Sequence, residues 1–270
     1  MLREGATPLD PRTVAICVLG RFTVAVDGEV RSLRPTAGRV LRRLVAARGS
    51  SVPEDVLLES FWPGFEPRAA RNNLHVTIHH ARRVVGAGRI GRGDGTYRLV
   101  LGPEDRIDAE LFAAAADRLL HTTRGPGADE ALGVLSLWGG EPLPEDRYSD
   151  WSRPYRELLI ALRRDLGLAC AARLRDGGRE AQAIAVLRAL RADAPLDERV
   201  AHDLMVALAG AGQRHAALST FEDLSAGLRS AWSVDVSVAT RRLATLISAG
   251  VDVEQRVSDA GVLTPRLVAS

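Results

Sequence analysis

Two stretches of similar sequence stand 34 residues apart in the C-terminal half of the chain. GREAQAIAVLRAL begins at Gly178 and GQRHAALSTFEDL begins at Gly212, and a leucine (Leu174 or Leu208) lies four residues before each glycine. Self-similarity at such a period indicates a chain built from stacked units, because each unit has an apolar face that only its neighbour can cover. The repeat therefore predicts helix pairs that stack in sequence order.

A period of 34 residues is that of the tetratricopeptide helix pair, whose small residues let neighbouring helices pack closely. Apolar positions at helical spacing, separated by Gly, Pro and Asp, continue around the repeat, and strand patterns are missing after residue 108. An unrelated antiparallel helical bundle is the alternative, because helix-rich chains produce chance offsets. The predicted helices span residues 108–121, 128–138, 151–176, 179–192, 197–210, 213–231 and 236–249.

The first hundred residues follow a different pattern. Residues 14–26, VAICVLGRFTVAV, are apolar and β-branched, and the Asp-Gly pair after them is typical of a two-residue hairpin turn. Thr36 is predicted to cap a first helix, a second helix is predicted to start at Pro53, and a third is predicted to begin after Pro67. The segment RIGRGDGTYRLVL then alternates around a Gly-Asp-Gly turn. The predicted order is a small sheet, three helices and a hairpin.

Positive charge is concentrated in one short part of the chain. All 36 basic residues are arginines, and the formal net charge is only +2. Residues 1–106 contain 17 Arg against 11 Asp and Glu, whereas residues 107–270 contain 19 against 23. Within residues 68–98, seven arginines accompany a single acid, Asp94. A compact basic patch on a nearly neutral chain indicates a polyanionic partner.

The predicted helix over residues 70–85 has two different faces. At 100° per residue one face carries an apolar stripe typical of a core-facing helix, formed by Ala70, Leu74, Ile78, Ala81 and Val85. The opposite face has no acid, whereas a solvated helix face normally mixes both signs of charge. Its members are Asn72, His75, Val76, His79 and Arg83, flanked by Asn73, His80 and Arg82.

Such a face fits duplex DNA. A major groove admits one α-helix, and Asn and Arg side chains can bond base edges there while an apolar group such as Val76 contacts a thymine methyl. The preceding helix and the turn PGFEP give a helix-turn-helix order with a longer turn than usual. The hairpin that follows would add a wing, with Arg92 near its tip.

Three features resemble the Streptomyces antibiotic regulatory protein (SARP) family: the block ESFWPGFEPRAARNNLHVTIHHARRVVG, the hairpin ending GTYRLVL, and the helical region with its repeat. The resemblance covers about residues 14–249. It implies a mainly α protein, with an OmpR-type winged helix-turn-helix (α+β) followed by an all-helical, tetratricopeptide-like bacterial transcriptional activator domain. It also implies a transcriptional activator of a gene cluster, as in antibiotic biosynthesis.

The same resemblance implies the partners. Members bind direct repeats in double-stranded promoter DNA, self-associate on it, and recruit RNA polymerase through its sigma factor and alpha subunit. Carried over by position and joined to the helical face, the predicted DNA-binding set is Arg71, Asn72, Asn73, His75, Val76, Thr77, His79, His80, Arg82, Arg83 and Arg92.

One departure from the family pattern affects this set. Relatives commonly read VSRLRR where this chain has IHHARR, so that His80 replaces an arginine and Ala81 a leucine. An imidazole with an ordinary pKa near ~6.5 is mostly neutral at pH 7.5. Weaker phosphate attraction or a changed base preference is expected at His80, and a thinner apolar stripe at Ala81.

The predicted domain boundaries follow from these patterns. Residues 1–13 form a flexible N-terminus, residues 14–101 the winged-helix DNA-binding domain, and residues 102–107, which contain GPED, a linker. Residues 108–250 form the transcriptional activator domain, and residues 251–270 a flexible tail.

Other functions have less support. Residues 86–91, GAGRIG, match a dinucleotide-binding pattern, but a helix precedes them and a strand follows, the reverse of the required order. His75 and His79 have metal-ligand spacing without a third ligand nearby. A repressor, or an interaction module that binds protein rather than DNA, stays open as an alternative.

Catalysis and secretion are not expected. The chain contains no G-x-S-x-G element, no lysine for a phosphate-binding loop and no Cys-His pair at catalytic spacing, so that no enzyme and no cofactor is predicted. The two cysteines lie far apart, and neither a signal peptide nor an apolar run of membrane-spanning length is present. A reduced, cytoplasmic setting without membrane contact is predicted.

Overall fold

The computed structural model of the chain describes residues 12–123 and 125–251. The predicted flexible ends, 1–13 and 251–270, therefore fall almost entirely outside the described residues.

Two compact units make up the chain. Unit 1 comprises residues 1–115 and 136–161, and unit 2 comprises residues 116–135 and 162–270. Unit 1 contains all the strands of the described part of the chain, and unit 2 is helical. The mainly α fold class, with strands restricted to the N-terminal part, is confirmed.

The structure assigns the following bounds. The strands are β1 (Val14–Cys17), β2 (Thr23–Val26), β3 (Glu29–Arg31), β4 (Val52–Pro53), β5 (Ile90–Gly93), β6 (Thr96–Leu99) and β7 (Arg106–Ile107). The helices are α1 (Pro35–Ala46), α2 (Glu54–Phe61), α3 (Pro67–Val85), α4 (Asp108–Leu120), α5 (Ala128–Leu135), α6 (Arg153–Asp176), α7 (Glu180–Asp193), α8 (Glu198–Gly210), α9 (Arg214–Trp232) and α10 (Val238–Ser248).

The first sheet of unit 1 has the strand order β3-β2-β1-β7. The predicted hairpin joins β2 to β3, with φ of 51° at Asp27 and 81° at Gly28, as a two-residue turn requires. Strand β7 was not predicted and lies within the expected linker, where it pairs with β1 in parallel, Ile107 beside Ile16. A strand of two residues is too short to show a periodic pattern in the sequence. Because β7 pairs with β1, the end of the expected linker is part of the first sheet.

Two helices of unit 1 begin within two residues of the predicted positions. Pro35 opens α1, with Arg34 as its N-cap, so Thr36 does not cap this helix. Helix α2 begins at Glu54 because Pro53 belongs to β4, which pairs with β6. The proline ring sets a suitable φ in both places, and tertiary pairing decides which residue starts the helix.

Helix α3 spans Pro67–Val85, as predicted. The Glu66 side chain caps its N-terminus by accepting a hydrogen bond from the backbone N–H of Ala69 at 2.9 Å. Backbone N–H groups of Arg68 and Ala69 hold the pKa of this carboxyl below its usual range. Capping by a charged acceptor satisfies backbone donors that a helix start otherwise leaves unpaired.

The predicted wing follows α3. Gly86 ends the helix with φ of 97°, and a short 3-10 turn, Ala87–Arg89, leads into β5. Strands β5 and β6 pair around Asp94 and Gly95, whose φ angles are 48° and 68°. With β4 they form a second sheet of order β4-β6-β5.

A buried ion pair connects the wing to the first sheet. The side chains of Arg89 and Asp105 are 3% and 1% exposed, and Nε of Arg89 lies 2.7 Å from an Asp105 carboxylate oxygen. Asp105 also accepts hydrogen bonds from the backbone N–H groups of Val14 and Gly102, each at 2.7 Å. Arg89 further donates to the carbonyls of Val85 and Arg12. One carboxylate therefore joins the wing, β1 and the chain before β7.

Residues 136–161 pack in unit 1 although they lie inside the predicted helical domain. The N–H of Leu143 donates to the carbonyl of Val18 at 2.8 Å, and the N–H of Gly20 donates to the carbonyl of Glu141 at 2.9 Å. The Asp146 carboxylate, 2% exposed, pairs with Arg42 of α1. The compact units therefore do not divide at the predicted linker, residues 102–107. Contacts between residues more than 100 positions apart bring 136–161 back into unit 1.

Unit 2 contains the repeat. The carbonyl of Leu174 accepts from the N–H of Arg179 at 2.8 Å, and 34 residues later the carbonyl of Leu208 accepts from the N–H of Gln213 at 2.8 Å. The glycine before each donor has a φ of 70° or 73°, respectively. These are the same helix-ending turn, with a left-handed glycine and a bond spanning five residues. The repeat in sequence is a repeat in backbone conformation.

Close helix packing in unit 2 depends on a small residue, as expected for tetratricopeptide-like pairs. A Cβ added at Gly167 of α6 would lie 2.6 Å from Cδ1 of Leu190 on α7. This contact and the repeated helix-ending turn agree with the tetratricopeptide-like prediction. In the two described ranges, 12–123 and 125–251, no helix combines the length and the hydropathy that a membrane span requires.

Candidate nucleic-acid interface

The inner face of α3 is buried as predicted. Five apolar side chains on this face are at most 3% exposed: Ala70, Leu74, Ile78, Ala81 and Val85. Helix α3 packs through this face against α1 and α2. The orientation of the outer face is thereby fixed by the core of unit 1.

The outer face of α3 is open to solvent. Val76, a large apolar side chain, is 55% exposed there. The other exposed members are Arg71, Asn72, Asn73, His75, His79 and Arg83, and His80 is half-buried. The helix therefore presents amides, imidazoles and guanidinium groups around one apolar side chain.

Thr77 does not belong to this open face. It is only 8% exposed, because it lies three residues after Leu74, on the flank of the apolar stripe. A side chain in this position supports the packing of α3 and has little surface to offer to DNA. The burial of Thr77 argues against its place in the predicted DNA-binding set, and the rest of the set stays a prediction.

Arg82 holds the wing against α3. Its Nε and Nη2 atoms donate to the backbone carbonyl of Ile90, at 2.9 and 2.5 Å. Ile90 is the first residue of β5. Charged donors to a backbone carbonyl form comparatively strong hydrogen bonds. Arg82 therefore ties the first residue of β5 to α3.

Arg92 projects from β5 beside α3. Its guanidinium carbon lies 5.6 Å from the centroid of the Tyr97 ring on β6, and its side chain is 49% exposed. A cation over an aromatic face is held by the ring quadrupole. The predicted wing arginine is thus ordered by its neighbours and still open to solvent.

Glu54 is the residue of this surface that sequence reasoning missed. Its carboxylate lies within 4 Å of basic groups of Arg71 and His75 on α3 and of Arg92 on β5. The helical projection of residues 70–85 correctly shows no acid on the helix itself. Glu54 comes from the start of α2, so only the folded chain brings the acid to this face.

His80 differs electrostatically from the arginine that the resemblance described above leads us to expect at this position. Desolvation lowers its pKa, and electrostatic interactions with Arg34, His79 and Arg83 lower it further. The imidazole is therefore neutral at physiological pH, as expected from its ordinary pKa.

The two alternative small-ligand sites receive no support from the geometry. Gly86 ends a helix and precedes a strand, whereas a dinucleotide site needs its glycines after a strand and at the start of a helix. For His75 and His79, no group of three or more His, Cys, Asp or Glu side chains in the described part of the chain is arranged to hold a metal ion.

Comparisons with known proteins agree with this architecture. The family model "Bacterial transcriptional activator domain" matches residues 107–247. The regulatory protein AfsR of Streptomyces griseus is 29% identical over 244 residues, which cover 82% of this chain and 23% of AfsR. The transcriptional regulatory protein EmbR of Mycobacterium tuberculosis is 25% identical over 244 residues, covering 84% of this chain and 61% of EmbR. The chain thus spans less than two thirds of either relative.

A solved structure shares the fold. Mycobacterium tuberculosis EmbR, in complex with a low-affinity phosphopeptide, matches with a TM-score of 0.72 and 21% identity, covering 93% of this chain and 70% of EmbR. The family match covers more than half of the chain and the shared fold agrees with it, so the chain belongs to the bacterial transcriptional activator domain family.

Proposed function

We propose that unit 1 binds double-stranded promoter DNA, with α3 in the major groove and the β5–β6 wing against the adjacent backbone. The observation that carries this proposal is the outer face of α3, which is open, free of acidic residues of its own and continuous with an ordered wing arginine. A helix of this kind fits the width of a major groove, and its amides and guanidinium groups match base edges and phosphates.

Different side chains have different roles in this proposal. Asn72, His75, Val76 and His79 face base edges, where Val76 can contact a thymine methyl. Arg71, Arg83 and Arg92 contact phosphates and position the helix in the groove. Arg82 acts mainly by holding the wing, as its bonds to Ile90 support.

The proposal extends to transcription activation. The chain binds direct repeats, self-associates on DNA and contacts the sigma factor and alpha subunit of RNA polymerase in the cytoplasm, activating a gene cluster such as one for a secondary metabolite. The family match and the names of the relatives, all regulators, support this assignment. We assign the chain no catalytic role.

Salt dependence of DNA binding tests the proposal. Three phosphate contacts release about three counterions, so the logarithm of the binding constant should fall against the logarithm of salt with a slope of about −3. Fluorescence anisotropy of a labelled promoter duplex measures this slope. Arg83→Ala should reduce its magnitude by about 1. Arg31→Ala, which removes an exposed arginine of β3, is the matched control and should leave the slope unchanged.

Failure of this test has a definite form. Absence of binding at low salt, or the same loss of slope in both variants, would contradict a DNA interface on α3. Arg82→Ala is unsuitable as the primary variant, because it also breaks the bonds that hold β5.

A second candidate function is an interaction module, favoured by the tandem helix pairs of unit 2 and their repeated turn. It would replace the first if Arg83→Ala left DNA binding unchanged but abolished binding to RNA polymerase. In vitro transcription separates activator from repressor, since added protein raises transcript yield in one case and lowers it in the other.

A further inference from the structure

Glu54 lies between the two parts of the candidate interface. Its backbone N–H donates to the carbonyl of Gly95, in the wing turn, at 2.8 Å. The two residues before it form β4, which pairs with β6. Glu54 is therefore held in place by the wing sheet, while its side chain extends toward α3 and is only 15% exposed.

The carboxylate of Glu54 bridges cations from two elements. Nε of Arg71 on α3 lies 3.4 Å from one carboxylate oxygen, and Nη2 of Arg92 on β5 lies 3.2 Å from the other. Nε2 of His75, one turn after Arg71, is 3.9 Å away. The side chains of Arg71 and Arg92 remain 60% and 49% exposed. Each arginine is held on one side and open to a ligand on the other.

We propose that Glu54 is a positioning residue for sequence-specific DNA recognition, holding Arg71 of the reading helix and Arg92 of the wing at a fixed spacing while opposing attachment to other DNA. This inference rests on the proposed DNA-binding function. It adds a contribution to the discrimination between DNA sequences, separate from the base contacts proposed for the exposed residues of α3.

Two opposing effects of the carboxylate produce the discrimination. At a recognised site Arg71 and Arg92 both contact phosphates. Because Glu54 already orients their long side chains, they lose less conformational entropy on binding, and the affinity is higher. On other sequences the contacts are looser, and the fixed spacing gives no advantage. The negative charge of Glu54 repels phosphates in both complexes. The net result favours the recognised site.

The test compares two duplexes. The full-length wild-type chain selects a duplex from a random library, and a shuffled version of that duplex serves as the non-specific probe. For Glu54→Gln, the ratio of the two affinities should fall about tenfold, because two arginines lose their orientation. The shuffled duplex should bind about two- to threefold more tightly, because one negative charge is removed. Glu59→Gln removes the same charge from an exposed position of the same helix and should leave the ratio unchanged.

A second variant separates position from charge. Glu54→Asp keeps the charge but shortens the side chain, so that it no longer spans both arginines. It should weaken binding to the selected duplex and leave the shuffled duplex unchanged. Wild-type affinity of Glu54→Asp for both duplexes would show that charge alone matters and would overturn the inference.

The remaining outcomes are equally decisive. If Glu54→Gln weakens both duplexes by the same factor, the residue only supports the fold and the inference is wrong. If the wild type selects a duplex and Glu54→Gln keeps the full ratio, the inference fails while the proposed function stands. If the wild type selects no duplex at all, both fail.

Discussion

Replacing Asp105 by asparagine would leave a buried arginine without its counter-charge. In the wild type this carboxylate accepts bonds from Arg89 Nε and Nη2 at 2.7 and 2.8 Å, and from two backbone N–H groups. The asparagine side chain has one acceptor oxygen instead of two. Its NH₂ group would lie against hydrogen-bond donors of Arg89 or the backbone. Removing one partner of a buried ion pair costs about 3–5 kcal/mol. For a unit of this size the expected fall in melting temperature is on the order of 10 °C.

The pH dependence of stability gives a second measure of the same pair. Burial alone would raise the pKa of Asp105, but hydrogen bonds from Arg89, Gly102 and Val14 outweigh it and hold the pKa below its ordinary value. Since the folded pKa is the lower one, the contribution is complete above the unfolded value, about 3.9, and is lost as the pH falls toward the folded value. The asparagine variant should therefore lose less stability on acidification.

Tryptophan fluorescence can follow unit 1 separately. Trp62, Trp138 and Trp151 belong to unit 1, and Trp232 belongs to unit 2. Urea unfolding in a Trp232→Phe background therefore reports on unit 1. Asp94→Asn, an exposed acid in the wing turn, is the control and should change stability by less than about 0.5 kcal/mol.

A double-variant cycle would refute the reasoning directly. Arg89→Met combined with Asp105→Asn should cost clearly less than the sum of the two single changes, because each single change leaves the other buried group without its opposite charge. Single changes that were additive in the free energy of unfolding would show that the pair does not hold the wing to the sheet. So would an Asp105→Asn variant that lowered that free energy no more than the control, Asp94→Asn.

Two further predictions concern packing and charge. Gly139→Ala should destabilise unit 1 by about 1–3 kcal/mol, because its Cβ would lie 2.7 Å from a backbone carbonyl oxygen. Gly93→Ala, with nothing within 4 Å of its Cβ, is the matched control in the same melts, and equal melting temperatures would contradict the close contact. His80→Arg should raise affinity for the promoter duplex and steepen the salt slope by about 0.9. An unchanged slope in anisotropy titrations would place this residue away from phosphates.

Local patterns predicted the parts of the fold that local chemistry determines. The wing turn was readable because Asp94 and Gly95 tolerate positive φ. Helix α9 begins and ends within one residue of its predicted bounds, because a glycine precedes it and an apolar period runs through it. The exposure of the outer face of α3 was predictable from the same periodicity. The apolar stripe packs into the core of unit 1, so the opposite face is left in solvent.

Long-range contacts account for what was missed. Glu54 reaches α3 only because β4 pairs with β6, and a two-residue strand leaves no pattern. Thr77 lies close to the predicted boundary between the two faces of α3, where 100° steps do not decide burial. Arg82 and Arg89 look like any other arginine of the basic stretch, yet the fold uses both to hold strands.

The path of the chain through unit 1 limits how domains can be exchanged between proteins of this family. Residues 136–161 fall inside the family match over 107–247, yet they belong to unit 1, which also contains α3. A foreign winged helix joined at residue 107 would meet a segment shaped for the carbonyl of Val18 and the side chain of Arg42. Chimaeras should therefore fold when residues 1–115 and 136–161 come from the same parent protein, because these two distant parts of the sequence pack as one unit.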